Sequence, residues 1–259
     1  MVDHLRSLAD ESQRFTDAVA DVDFGTRVPS CPDWSLGDLV WHLAEVQYFW
    51  ASIVEGPLME PELVPDLERP EDTLLRGLFN EQSARLHRAL SAREPETPCW
   101  TWYEPDQTTG WVRRRQAHEA LIHRIDAELC ADDRTPVDPA LAADGIDEIL
   151  RIQIDGIPGW GTFTADGITV RLTETDQGTS WGLEFGRFTG TSPNTNTTYD
   201  LDAASVIELD AIHPQMELRG SAEALNLWLW GRATSDSLDI SGDADLVDRL
   251  RVLAAASTN

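Results

Sequence analysis

The stretch RRRQAHEALIHRIDA, residues 113–127, carries two of the chain's six histidines together with a glutamate. Ile122 and Ile125, continued by Leu129, recur at helical spacing, so the segment reads as part of one helix over about 111–131. Each helical residue turns by about 100°, which puts Glu119 and His123 about 40° apart and one turn along the same face. Their side chains can meet one ion. His118 stands five before His123, about 140° away, and points elsewhere. HEALIH therefore differs from the HExxH of zinc proteases, whose histidines are four apart. His118 is expected to be a helix-surface or packing histidine. Taken alone, Glu119 and His123 read first as an exposed ion pair worth a few tenths of a kcal/mol, because a metal centre needs further ligands.

Three more helical patterns precede this one. The first runs over about 3–21, with Leu5, Leu8, Phe15 and Val19 among its apolar positions. In VPSCPDWSLGDLVWHLAEVQYFW, residues 28–50, Pro32 and Asp33 break the chain and Ser35 offers an N-cap to the next. Its stripe holds Leu36, Leu39, Val40, Leu43 and Val46. His42 shares a face with Leu39, Val46 and Phe49 and so projects toward the interior, as a hydrogen-bonded core histidine or as a third ligand for Glu119 and His123. A third helix covers about 71–92, with Leu74, Leu75, Leu78, Leu86 and Leu90 on one side. Residues 93–110, REPETPCWTWYEPDQTTG, read as a loop carrying Trp100 and Trp102. Four such helices predict a four-helix bundle, whose core is a usual place for metals held by facing helices. Trp34, Trp41, Trp50, Trp100 and Trp102 are expected chiefly in core packing, or as the walls of an apolar pocket above an ion.

Beyond Asp132 the pattern changes. DDRTPVDP marks a boundary between segments 1–135 and 136–259, two domains being the default for 259 residues. A helix over 140–154 precedes strand candidates at 168–174, 180–188, 197–203 and 206–211. GTSPNTNT is a turn or loop, and its sequon at Asn196 carries no weight in a chain expected to be cytoplasmic. SAEALNLWLWG, 221–231, reads as a helix capped by Ser221 and ended by Gly231, and a last helix spans 243–256. The whole is expected to be α+β: a helical bundle followed by a smaller mixed α/β domain.

With 46 acidic residues against 20 basic ones, all arginine, the net charge of −26 repels phosphate backbones and anionic membranes. Nucleic-acid binding is thus not expected. The N-terminal MVDHLRSLADESQRF has no apolar run that would make a signal peptide or membrane span. Cys31, Cys99 and Cys130 are odd in number and in no CxxC spacing, so reduced thiols are expected rather than disulfides or a thiolate zinc knuckle.

Two groups of residues carry a family likeness. Cys31, Pro32, Trp34, Ser35, Asp38, Leu39 and His42 match a CP-x-W-[ST]-x-x-D-L-x-x-H entry to the second helix. Glu119, His123, Arg124 and Asp126 match an E-x-x-x-H-R-x-D run on the fourth. In this the chain resembles the mycothiol-dependent maleylpyruvate isomerase family, within the DinB-like metal-binding bundles. LNLWLWGR (225–232) followed by LDISGD (238–243) resembles the GR…GD signature of that family's sterol-carrier-like second domain.

The resemblance implies that His42, Glu119 and His123 are the metal triad. Two imidazoles and a carboxylate suit Zn²⁺ and leave a position open, while Ni²⁺, Fe²⁺ or Mn²⁺ also fit the set. It implies mycothiol as the thiol cofactor, its sulfur held as thiolate, adding reversibly to the cis double bond of a maleyl-type dicarboxylate or to another electrophile. The expected activity is therefore isomerase or thiol S-transferase on a small molecule, by a monomer or homodimer. Arg232 is expected either to bind a substrate carboxylate or simply to neutralise a helix C-terminus. Asp126 and Gln116 stand within a turn of the pair and are candidates to orient a ligand, Asp126 alternatively pairing with Arg124. A bundle that binds metal for regulation, without catalysis, is the alternative.

Overall fold

The computed structural model describes residues 2–56, 59–155, 157–209 and 213–258. The chain divides into two compact units, Met1–Pro136 and Val137–Asn259.

The first unit is a bundle of α1 (His4–Ala18), α2 (Leu36–Glu55), α3 (Asp72–Ser91) and α4 (Thr109–Ala131). Neighbours around it run α1, α4, α2, α3 and back to α1. Side-chain caps start three of these helices. The Asp3 carboxylate accepts the Arg6 N–H at α1, and Ser35 and Asp38 form a reciprocal capping box at α2. The Thr108 hydroxyl accepts the Trp111 N–H, so α4 begins at Thr109, inside the stretch that composition alone assigns to a loop. Asp132, left-handed at φ 53°, ends it. Phe15, Leu36, Leu39, Leu43, Leu75 and Phe79 belong to one buried cluster, in which the rings of Phe15 and Phe79 lie 4.7 Å apart.

Between α1 and α2 the chain makes a two-stranded antiparallel hairpin, β1 (Arg27–Val28) and β2 (Cys31–Ser35). It leads straight into the α2 cap, so Trp34 and the N-cap Ser35 are placed by one short element.

The second unit holds a five-stranded sheet in the order β5-β4-β3-β6-β7. Its strands are β3 (Gly161–Glu174), β4 (Ser180–Thr191), β5 (Thr198–Ile207), β6 (Met216–Gly220) and β7 (Asp239–Gly242). Among the described residues, β3–β6 is the one parallel pair of this sheet. Val170, Leu172 and Glu174 alternate inward along β3, as a half-buried strand requires. With them pack α5 (Pro139–Glu148), its continuation as a π-helix over Ile149–Ile154, α6 (Ala222–Leu229) and α7 (Asp245–Thr258). α6 ends in a Schellman pair, Gly231 N–H to the Trp228 carbonyl and Arg232 N–H to that of Leu227, with Gly231 at φ 72°.

The architecture is the expected α+β one, with differences in the strands. β3 starts seven residues before ITVRLTE, because the turn-like ADG is absorbed as a bulge with Gly167 at φ 82°. The runs 197–203 and 206–211 are largely one strand, β5, whereas residues 210–211 lie outside the described residues. Neither β6 nor β7 is among the strand candidates: β6 alternates over only Met216 and Leu218, and β7 is exposed along its whole length and has no inward face to alternate.

Candidate metal centre

α4 supplies Glu119 and His123 from adjacent turns, and α2 supplies His42 opposite them. Glu119 Oε1 lies 3.2 Å from His42 Nε2 and 3.2 Å from His123 Nε2. One donor atom from each residue falls within 4.8 Å of the other two. Ligand bonds of about 2.0–2.1 Å at tetrahedral angles put neighbouring donors roughly 3.4 Å apart. The spacing and the chemistry of the donor set therefore fit a single divalent ion.

What surrounds the three side chains explains their aim. The Asp126 carboxylate, fully buried, lies 3.0 Å from His123 Nδ1 through Oδ2 and accepts the Ser30 hydroxyl through Oδ1. A proton held on Nδ1 leaves His123 Nε2 to face the centre. Ser30 sits between β1 and β2, so the hairpin reaches α4 through it. On the other side of Glu119, Arg115 Nη2 donates to Oε2 at 2.6 Å. The Trp34 ring lies 4.9 Å from that of His42 and 6.5 Å from that of His123.

These contacts set the charges. Burial disfavours a charged ring at His123, but hydrogen bonds to Asp126 and Glu119 outweigh it and hold the group up to about 9. Burial alone would raise Glu119. The bonds from His123 and His42 and the Arg115 charge instead hold it well below the usual carboxylate range. An imidazolium at His123 satisfies both carboxylates at once; a cation at the centre would take over the role of the proton on Nε2.

His118 is buried, with its ring edge-on to that of His4 at 6.0 Å. Arg124 turns away from Asp126 and joins Glu11 and Glu128 at 2.7 and 2.8 Å. Gln116 is buried with an unpartnered Oε1. Cys31, Cys99 and Cys130 are in no disulfide, and burial pushes Cys99 and Cys130 up to about 11, which makes them poor nucleophiles. Arg232 belongs to the second unit, where Nη1 donates to the Trp230 carbonyl at 2.6 Å, as a helix-terminal arginine does. Trp50, Trp100, Trp102 and Trp111 form a ring cluster, with Trp50 and Trp100 stacked at 5.8 Å and Trp102 edge-on to Trp111 at 4.8 Å. Arg115 and Ser30 escape a motif-based reading. Arg115 has a local signal, its place four before Glu119, whereas Ser30 is 96 positions from Asp126 and has none.

Two family profiles cover nearly all of the chain: the mycothiol maleylpyruvate isomerase N-terminal domain over residues 5–128 and the C-terminal domain of the same proteins over 140–249. The chain belongs to the mycothiol maleylpyruvate isomerase family. A solved structure described as the mycothiol-dependent maleylpyruvate isomerase superposes with a TM-score of 0.59 at 15% identity, over 93% of each chain. At that identity the likeness establishes the shared fold. No curated protein matches the chain. Among the described residues, no helix is long and apolar enough to cross a membrane.

Proposed function

We propose that this member of the isomerase family is a divalent-metal enzyme that uses mycothiol, either to isomerise a cis-dicarboxylate of the maleylpyruvate type or to transfer the thiol to an electrophile. The observation that carries the reading is the convergence of His42 Nε2, Glu119 Oε1 and His123 Nε2 within ligand-to-ligand distance. A bound cation, zinc by preference of the donor set and nickel, iron or manganese as substitutes, would supply the positive field that keeps a thiol deprotonated near neutral pH.

The chain's own residues do the rest. Glu119, His42 and His123 hold the ion. Asp126 keeps a proton on His123 Nδ1 and so directs Nε2 inward. The Trp34 ring packs beside those of His42 and His123. Arg232 is the proposed anchor for a substrate carboxylate, carried by the family's second motif.

Elemental analysis of the purified protein, followed by mycothiol-dependent turnover of maleylpyruvate and a panel of electrophiles, tests the proposal. One equivalent of metal is expected, with turnover that disappears in His42→Ala and in His123→Ala. Arg232→Ala is expected to raise KM for dicarboxylates more than for uncharged electrophiles. Metal without thiol-dependent turnover would leave the chain a metal-binding bundle, and a protein with no affinity for either metal or mycothiol would overturn the reading altogether.

A further inference from the structure

Arg115 is not part of either family motif, yet it makes a short, charged contact with a proposed ligand. Its side chain is 6% exposed, and Nη2 donates at 2.6 Å to Glu119 Oε2, the oxygen that faces neither histidine. The other oxygen, Oε1, lies 3.2 Å from both imidazole nitrogens. One carboxylate is thereby divided between two tasks. A free carboxylate can chelate an ion through both oxygens, filling a coordination position and adding negative charge where an incoming thiolate must bind. A guanidinium bound to one of those oxygens opposes this. Both residues stand on one rigid helix, four apart, so the division is built into α4. An ordinary helix pair of this spacing is solvated and contributes a few tenths of a kcal/mol. This one is buried, and a buried charge pair has a defined geometry.

We propose that Arg115 is a positioning residue that restricts Glu119 to one-oxygen ligation, keeping the rest of the coordination sphere open to an exogenous thiol. The inference rests on the metal reading above. It assigns Arg115 no contact with substrate.

Cobalt(II) in place of the native ion reports coordination number directly, since four-coordinate cobalt absorbs visible light far more strongly than five- or six-coordinate cobalt. N-acetylcysteine serves as probe thiol, followed by its sulfur-to-cobalt charge-transfer band, and zinc affinity is read by chelator competition. Arg115→Met is expected to weaken the visible cobalt bands and to raise the half-saturating thiol concentration at least tenfold, with zinc affinity equal to that of the wild type or higher, because the freed oxygen and the lost positive charge both favour the cation. Arg115→Lys, which keeps a cation on a similar stem, is expected to recover a large part of the cobalt bands and of the thiol response. Should Arg115→Met not fold, Arg115→Gln, with a neutral donor, carries the same three readings. Variants whose cobalt spectrum and thiol saturation equal those of the wild type would overturn the inference and leave the metal reading intact. A wild-type protein that takes up neither cobalt nor zinc would instead overturn the metal reading, and this inference with it.

Discussion

On the proposed metal reading, a proton and a metal ion would compete for Nε2 of His123. The group is held up to about 9 in the metal-free fold, against 6.5 for an ordinary histidine. A raised value means that the contacts of the imidazolium with Asp126 and Glu119 stabilise the fold fully below about pH 6.5 and that this contribution is lost as pH rises through about 9. Metal-free protein is therefore expected to lose stability over that window, and zinc-loaded protein is not; urea midpoints measured across pH 6–9 with and without zinc decide the matter. Zinc affinity is expected to climb about tenfold per pH unit until the proton is gone, with proton release visible by calorimetry in buffers of different ionisation enthalpy. Asp126→Asn, which removes the charge that orients the ring, is expected to weaken zinc binding about 10–100-fold; unchanged affinity would show that the Ser30–Asp126–His123 chain has no hold on the site.

α4 shows what can and cannot be read at the scale of an element. Its register was legible, because Glu119, Ile122, His123 and Ile125 fix the helix face without any tertiary information. Its environment was not. Arg115, Arg124, Asp126 and Glu128 make it look like a solvated helix, yet all four are buried and each has a charged or hydroxyl partner on the same or a distant segment. Periodicity marks apolar faces and is blind to paired ions in an interior. Arg124, fully buried between Glu11 of α1 and Glu128, is the clearest case. Arg124→Met leaves the buried Glu128 without its cation and Glu11 with Arg14 alone, and is expected to cost roughly 3–5 kcal/mol in denaturant unfolding; a cost under about 1 kcal/mol would mean that the pair is solvated. The same limit explains β7, which has no buried side to betray it. Turn chemistry, by contrast, was read correctly at α6, where Gly231 takes a positive φ and Gly231→Ala is expected to cost about 1–2 kcal/mol.

At the scale of the molecule, both the bundle and the sheet unit followed from element order, whereas the pairing of His42 with residues 77 positions away needed the family motifs before it had a meaning. That separation also bears on how the centre comes into being. His42 leaves the ribosome long before α4 is made, and Glu119 with His123 offers only two donors on a single helix. An ion joining all three on an unstructured chain would close a loop of 77 residues, at an entropic cost of roughly 4 kcal/mol. Packing of α2 beside α4, with the Phe15–Phe79 core already formed, removes that cost in advance. If the proposed ion binds, the order of assembly would be bundle first and ion second, unlike a zinc finger that stays unfolded until loaded. Chain made in metal-depleted medium is expected to keep its helical circular dichroism and to take up zinc afterwards in one fast step. A nascent protein that had to be charged with metal during synthesis would show neither.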